Sequence, residues 1–387
     1  MKDLLIITSY FPPEIGAASN RIFHLAEGLK SDYNVKVLTP LPNYPTGKVF
    51  KPYKGKLKVE ESLNDISVVR LWIRASNSKN KLIRLVAMLS YSLSLMWYFL
   101  WHKIPNKVII QSPPLLVAFT SVLFLRSKKR RLILNVSDLW PTAGLELGAI
   151  KKGFSYRVLK RIERFNYNNV DLILGQSKEI LDHISNINAS KQLLLYRNYP
   201  VITSYELLSE TDQANDKLTI VYAGLLGVAQ GIYTLLNALD YKSIQFHIYG
   251  SGAEEELIKG FISENPDLPI YFHGRLDRNE LHKALLKYDV AIIPLLNRIY
   301  GSVPSKIFEF ANLGLPLLYF GGGEGESIIK DYHLGWVASA GDYKNLNETI
   351  ETISKKDITP ETKKRIKATA DSRFDFYKQI EDLKAVL

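Results

Sequence analysis

Val290-Ala-Ile-Ile-Pro-Leu295, Gly301-Ser-Val-Pro-Ser-Lys-Ile-Phe-Glu309 and Leu315-Pro-Leu-Leu-Tyr-Phe320 are the stretches whose reading decides the fold. An apolar run ends, a loop turns, a helix starts near Pro304, and a second apolar run follows. Proline suits a first helical turn because its missing N–H would have no partner there. Ser302 is a candidate cap, and Ser305, Lys306 and Glu309 lie within helical reach of one another. N–H groups at a helix start plus a lysine make an anion site, and a carboxylate one turn deeper accepts from hydroxyls. Phosphate beside hydroxyls points to a nucleotide or nucleotide-sugar. The same residues also read as an ordinary capped helix, with Lys306 solvated and Glu309 paired.

Outward from there, short apolar runs alternate with helical patterns along all 387 residues. Candidate strands in the first half are Leu4–Thr8, Val35–Leu38, Val68–Ile73, Val108–Gln111, Leu132–Val136, Leu172–Leu174 and Leu193–Tyr196. In the second half they are Leu218–Ala223, Ile244–Tyr249, Ile270–His273, Val290–Leu295, Leu315–Phe320 and Trp336–Ala338. Strands rich in Val, Ile and Leu, separated by helix-length segments, read as parallel sheets covered on both faces. The chain is long for one core, and the pattern restarts after the acidic stretch Ser204–Asp216. The expected fold class is α/β, with two doubly wound, Rossmann-like domains at 1–203 and 204–372. A last helix in 373–387 is expected to pack back on the first domain. Ligands in such sheets bind beyond the carboxyl ends of strands, which puts the expected site in a cleft between the domains.

The chain has no cysteine, which excludes a disulfide framework and thiolate chemistry. Met1–Ser9 enters a strand directly, without the apolar region and cleavage site of a signal peptide. Residues 1–200 hold thirty Lys and Arg against thirteen Asp and Glu, an excess of +17; the remainder hold twenty against twenty-six, or −6. Such asymmetry points to an anionic partner for the first half. No nucleic-acid module is present, so a membrane surface or phosphorylated lipid ranks above nucleic acid. Leu85–Trp101 is uncharged over seventeen residues, the lower limit for a membrane span. Strands of one domain flank it, so a core helix or a helix sunk in the membrane interface is the better reading, with Lys79, Lys81 and Arg84 at its edge. The basic runs Lys128–Arg131 and Lys151–Arg164 add to attraction for anionic headgroups or are simply solvated faces.

After the first strand, Gly16, Ala17 and Ala18 let the backbone approach a ligand at a helix start, or form a plain turn. Asp138 closes the strand Leu132–Ser137 and precedes Leu139-Trp140-Pro141. A carboxylate at a strand's carboxyl end lies where function gathers in this fold, and it equally serves as a helix N-cap.

Several separated stretches together resemble family 4 of the retaining glycosyltransferases, which have the two-domain GT-B fold. Within that family the chain is most similar to bacterial O-antigen, capsule and exopolysaccharide sugar transferases. The stretches are Ser9–Gly16, Pro42-Asn43-Tyr44-Pro-Thr-Gly47, Gln111–Leu115, Asp138–Pro141, Tyr222–Gly231, Tyr249–Gly252, His273–Arg275, Ser302–Glu309 and Gly314–Pro316. They cover nearly the whole chain in family order.

The resemblance implies a nucleotide-sugar donor, UDP-linked by preference and carrying an N-acetylated or deoxy hexose in one version. It implies a lipid-pyrophosphate-linked saccharide acceptor and retention of anomeric configuration. The protein would be cytoplasmic, peripherally associated with the inner face of the cytoplasmic membrane, its partners the donor, the acceptor and an anionic membrane surface. Glu309 matches the second glutamate of the family's paired-glutamate motif, expected to bind the ribose; the first falls at Gly301. The family's basic pair falls at Leu225 and Gln230, both uncharged, which leaves the diphosphate to Lys306, the N–H groups of Ser305 and Lys306, and Arg298 or Arg275. Gly16, Ala17, Gly224, Gly227 and Pro304 complete the expected donor site. Asn43, Tyr44, Asp138 and Trp140 are the expected acceptor residues, and Asp138 and Lys306 the catalytic pair. Ser137 stands where the family often has histidine. No Asp-x-Asp pair or histidine cluster is present, so no metal or other cofactor is expected. Two other readings keep the same fold: a nucleotide-sugar epimerase and a non-catalytic binding subunit.

Overall fold

The computed structural model describes residues 1–78, 80–201, 217–227, 230–296 and 299–387, apart from the side chains of Lys81 and Arg84. The expected boundary at Ser204–Asp216, the candidate donor residue Arg298 and the flanking Lys79 lie outside the described residues. The chain forms two units, Met1–Asn198 with Ile299–Ser302 and Tyr377–Leu387, and Tyr199–Arg298 with Val303–Phe376.

The first unit is built on eight strands: β1 (Lys2–Ile7), β2 (Tyr33–Pro40), β3 (Lys58–Leu63), β4 (Ile66–Leu71), β5 (Lys107–Ser112), β6 (Arg131–Val136), β7 (Leu172–Gly175) and β8 (Gln192–Leu195). Their order in the sheet is 3-4-2-1-5-6-7-8. The helices are α1 (Ala17–Leu29), α2 (Lys81–Trp101), α3 (Leu115–Leu125), α4 (Thr142–Glu146), α5 (Phe154–Asn168) and α6 (Lys178–Ile187). Pairing is parallel throughout except between β3 and β4. Strand β3 has no counterpart among the expected strands. Its charged residues Lys58, Glu60 and Glu61 suit an exposed sheet edge, where charge blocks unwanted pairing. Asn64 (φ 49) and Asp65 (φ 65) join it to β4 as the left-handed pair of a two-residue hairpin.

Helix α2 packs Tyr91, Leu95 and Tyr98 into the core. The Tyr91 hydroxyl lies 2.9 Å from the Thr8 carbonyl and 3.1 Å from that of Leu38, so it donates where β1 and β2 end. Its opposite face, with Leu82, Val86, Leu89, Leu93, Trp97 and Leu100, is exposed. Among the described residues no helix is long and apolar enough to cross a membrane.

The second unit has strands β9 (Leu218–Leu225), β10 (Ile244–Ser251), β11 (Ile270–Gly274), β12 (Val290–Pro294), β13 (Leu317–Phe320) and β14 (Gly335–Ala338), in the order 11-10-9-12-13-14. Its helices are α7 (Ile232–Ala238), α8 (Glu255–Glu264), α9 (Arg278–Leu285), α10 (Lys306–Asn312), α11 (Glu324–Asp331), α12 (Tyr343–Glu351) and α13 (Pro360–Arg373). Along β9, Ile220 and Tyr222 enter one apolar cluster while Val221 and Ala223 enter the other. Successive side chains point to opposite faces, so two helical layers bury both faces of this sheet. In each sheet the strand order reverses beside the first strand, which opens a crevice at the carboxyl ends of β1 and β5 and of β9 and β12.

A final helix, α14 (Phe376–Val386), contributes Tyr377 onward to the first unit. The Gln379 amide accepts from the Arg197 N–H at 2.7 Å and donates to the Arg197 carbonyl at 3.0 Å. Gly28 of α1 leaves room for Ile380, whose side chain stands 2.8 Å from where a Cβ would be.

Candidate functional site

In the second unit the chain leaves β12 and re-enters helix at Lys306, two residues later than the expected start at Pro304. The Ile307 N–H bonds back to the Pro304 carbonyl at 3.1 Å, a tightened i−3 turn that delays regular α geometry. Ser305 holds the N-cap place with no side-chain cap bond, and the Ser302 N–H donates to the Ile299 carbonyl at 2.9 Å. One turn in, Glu309 is buried. Its Oε1 accepts from His282 Nε2 at 2.8 Å and lies 3.6 Å from Arg278 Nε; its Oε2 pairs with Lys306 Nζ at 2.9 Å. The Lys306 ammonium also lies 4.9 Å from the centre of the Phe310 ring.

Arg278 and His282 are site residues the sequence reading missed. They sit at i and i+4 on α9, whose start is fixed by Asp277 accepting from the Glu280 N–H at 2.9 Å. The i, i+4 spacing of two basic side chains was visible; nothing in the sequence said that this face meets α10. Burial by itself pushes the Glu309 carboxyl up, but the His282 bond, the Lys306 charge and bond, and the Arg278 charge outweigh it and hold it at about 2. The carboxylate is therefore ionised at neutral pH and acts as a fixed hydrogen-bond acceptor. Arg278 and Lys306 remain partly exposed and offer two cations beside it.

Gly224 and Gly227 lie at the carboxyl end of β9. A Cβ at Gly250 (φ +152) would stand 2.0 Å from the Gly224 carbonyl oxygen, so only glycine lets β10 close against this turn. Leu225 is exposed, and Gln230 buries an Oε1 that has no partner among the described residues. Neither supplies charge. Arg275 is exposed just past β11 and makes no ion pair among the described residues.

In the first unit, the loop from β1 reaches Gly16 in extended conformation, and Ala17 begins α1. The buried Glu14 organises this end of the sheet. Its Oε1 accepts from the N–H groups of Asn43 and Tyr44, both at 2.8 Å, and burial raises its pKa against those bonds. The ring of Tyr44 packs edge-on to Tyr10 at 5.6 Å, and its Cε1 lies 3.6 Å from where a Gly16 Cβ would be. Gly16, Asn43 and Tyr44 are thus brought together by a carboxylate that the sequence did not single out.

Asp138 follows β6, half-buried, and accepts from Ser137 Oγ at 3.4 Å. It caps no helix: α4 begins after Pro141 without a side-chain cap. Trp140 turns onto α4, its ring 2.7 Å from where a Gly144 Cβ would be. Burial raises the Asp138 carboxyl to about 6, restrained by the charge of Arg21 and the Ser137 bond. Arg21, on α1, is a further residue the sequence reading missed. It is buried and donates to Asn135 Oδ1 at 2.7 Å, to the Tyr196 carbonyl at 3.2 Å and to Gln176 Oε1 at 3.1 Å. Burial depresses this guanidinium to about 10, partly offset by Tyr196 and Asp138. A buried arginine on an amphipathic helix looks in sequence like any solvated one.

Position 301 belongs to the first unit. The Gly301 N–H donates to Glu179 Oε2 at 2.9 Å, and its carbonyl accepts from Ser177 Oγ at 2.7 Å. Its φ is +84, and a Cβ there would meet Ile180 Cγ1 at 2.8 Å. This backbone has room and conformation for glycine alone, which explains why no acidic residue stands there.

Residues 206–373 match the family described as "Glycosyl transferases group 1", and residues 16–196 the "Glycosyl transferase 4-like domain". The "Probable glycosyltransferase WbjE" of Pseudomonas aeruginosa is 25% identical over 268 residues, 65% of this chain and 67% of that one. The "Putative colanic acid biosynthesis glycosyl transferase WcaI" of Escherichia coli (strain K12) is 25% identical over 271 residues, 64% and 66% of the two. Each match therefore spans about two thirds of the relative's length. Among solved structures, sucrose-phosphate synthase from Thermosynechococcus elongatus superposes with a TM-score of 0.74 at 14% identity, covering 100% of this chain and 98% of that one. WaaG, a glycosyltransferase involved in lipopolysaccharide biosynthesis, gives 0.66 at 12% identity, covering 99% of each. Anabaena Alr3699/HepE in complex with UDP-glucose gives 0.65 at 16% identity, covering 100% of each. These structural likenesses show the fold.

Proposed function

Because the chain belongs to family 4 of the GT-B-fold glycosyltransferases, we propose that it transfers a sugar from a UDP-linked donor to a lipid-diphosphate-linked saccharide, with retention of configuration. The work belongs to the assembly of a cell-surface polysaccharide, at the inner face of the cytoplasmic membrane. The observation that carries this reading is the Glu309 cluster: an acceptor ionised at neutral pH with Lys306 and Arg278 beside it. Glu309 accepts from the ribose hydroxyls. Lys306 exchanges its partly exposed pairing with Glu309 for the donor diphosphate, and Arg278 adds a second positive charge.

In the reaction an acceptor hydroxyl oxygen forms the new bond to the anomeric carbon as the bond from that carbon to the UDP oxygen breaks. The acceptor proton passes to the departing diphosphate on the same face. The protein supplies position and charge, which preorganised donors do without reorganising as the leaving group develops its charge. Asp138, its carboxylate under the charge of Arg21, orients the acceptor hydroxyl; Asn43, Tyr44 and Trp140 frame the saccharide. No step requires a metal ion. The relatives' names and the UDP complex of the Anabaena protein support the donor class and the pathway class. The exposed apolar face of α2 supports the membrane setting.

The test is release of UDP from a panel of UDP-sugars by purified protein, with and without a prenyl-diphosphate-linked saccharide. Acceptor-dependent UDP release with the α-anomer conserved in the product is the expected result. Sugar interconversion without an acceptor would replace this reading with epimerisation.

A further inference from the structure

The loop between β2 and β3 encloses a surface pocket of about 680 Å³ that the donor and acceptor chemistry above does not use. Its walls include Lys48, Lys51, Lys54 and Lys56, with Leu57 and Trp72 at the apolar side. No acidic residue lines it, and among the described residues none of the four ammonium groups has an ion-pair or hydrogen-bond partner. Three lysines elsewhere in the same unit are paired, Lys30 with Glu27, Lys58 with Glu60 and Lys384 with Asp32. Four unneutralised cations around one pocket repel one another and raise the local potential, which a multiply charged anion relieves.

The apolar side leads to α2. The Trp72 N–H donates to the Leu57 carbonyl at 2.9 Å, and the Trp72 carbonyl accepts from Ser94 Oγ of α2 at 2.8 Å. Leu57 and Trp72 are 74% and 40% exposed, and Leu93 and Trp97, on either side of Ser94 along the helix, are 62% and 66% exposed. The basic pocket therefore borders exposed apolar residues of α2, beside the exposed Arg74, whose backbone N–H donates to Ser90 Oγ of α2 at 2.9 Å.

We propose that this pocket binds the diphosphate of a lipid-linked diphosphate whose hydrocarbon chain runs along the exposed face of α2. The inference rests on the reading of the acceptor as a lipid-linked saccharide and assigns the part of that acceptor remote from the reacting hydroxyl. The two adjacent charges of a diphosphate diester neutralise two of the four cations at one point, twice what the single phosphate of a phospholipid headgroup neutralises. A free nucleotide would fill the basic side and have nothing to place along α2.

Titration calorimetry of the full chain with farnesyl diphosphate, farnesol and inorganic diphosphate tests this. Farnesyl diphosphate is expected to bind more tightly than either fragment. The Lys51→Ala/Lys54→Ala variant, altered only at exposed side chains, should bind it about twenty-five-fold more weakly, at roughly fivefold per lysine, with UDP affinity unchanged. Lys54→Glu alone should weaken it in the same direction. Equal farnesyl diphosphate affinity in wild type and variants overturns the proposal. So does lysine-dependent flotation with phosphatidylglycerol vesicles that phosphatidylcholine vesicles containing farnesyl diphosphate do not reproduce, since that assigns the lysines to bulk phospholipid. Sugar transfer measured alongside separates the two readings. Lysine-dependent farnesyl diphosphate binding without any transfer overturns the acceptor assignment and leaves the pocket; transfer with variant binding unchanged overturns the pocket alone.

Discussion

His282 donates from Nε2 to Glu309 Oε1 across 2.8 Å while Lys306 holds Oε2 at 2.9 Å, so each oxygen of one buried carboxylate has its own cationic or hydrogen-bonding partner. The pKa of Glu309 is depressed, so its ionised form stabilises the fold above the unfolded carboxylate range, and that contribution is lost as pH falls from about 4.5 toward about 2. Substituting His282→Ala removes a bond to a charged group and should lower unfolding free energy by about 1.5–3 kcal/mol at pH 7. Urea midpoints at pH 7 and pH 3 measure this, and the difference from wild type should shrink at the lower pH. An equal loss at both would assign His282 a packing role only.

Lys306→Ala should reduce kcat by a factor corresponding to about 3 kcal/mol, the cost of one missing donor to a developing anion. Glu309→Ala should act chiefly on UDP affinity. Steady-state kinetics with calorimetric UDP titration distinguish the two, and unchanged turnover in a folded Lys306 variant would remove that lysine from the chemistry.

Asp138 titrates at about 6, so if its ionised form serves the reaction, log kcat/KM should climb with pH and level off above that value. Arg21 lowers this pKa, and Arg21→Gln should shift the bend to higher pH as well as destabilise the fold. For stability the sign runs the other way from Glu309. The raised pKa means that the folded state holds the proton more tightly, and stability falls as pH rises from about 4 through about 6. Asp138→Asn should therefore leave stability at pH 4 unchanged and raise it at pH 8 by up to roughly 3 kcal/mol, seen as a pH-dependent gain in melting temperature.

Gly301→Ala should destabilise by at least about 1 kcal/mol, because alanine pays for φ +84 and its Cβ meets Ile180. Gly301→Glu should do the same without raising activity. A stable, more active Gly301→Glu variant would mean that this turn rearranges readily.

The alternation of Val-, Ile- and Leu-rich runs made both sheets legible, because a strand buried on two faces needs nothing but apolar residues. Strand β3 escaped because Lys58-Val-Glu-Glu-Ser-Leu63 obeys the opposite rule: an edge is kept charged. Its hairpin turn, Asn64-Asp65, was the readable signal. In the site, Lys306 and Glu309 could be paired from sequence since three residues separate them along one helix. Arg278, His282 and Arg21 could not. Their partners lie from 27 to 175 residues away, and only tertiary packing brings a cation to a particular carboxylate or amide.

The segment Ile299–Ser302, which counts with the first unit although its chain neighbours on both sides count with the second, decides how the protein can be dissected. A half-molecule ending at Asn198 would lack that segment and the last eleven residues. Ser177 Oγ would lose the Gly301 carbonyl, Glu179 the Gly301 N–H and Arg197 the Gln379 amide, while the groove along Gly28 would lose Ile380. The fold is woven from three passes of the chain, and a fragment defined by one cut would retain a sheet without its stitching. A soluble first half is to be sought by splicing in peptides for 299–302 and 377–387, not by moving the cut.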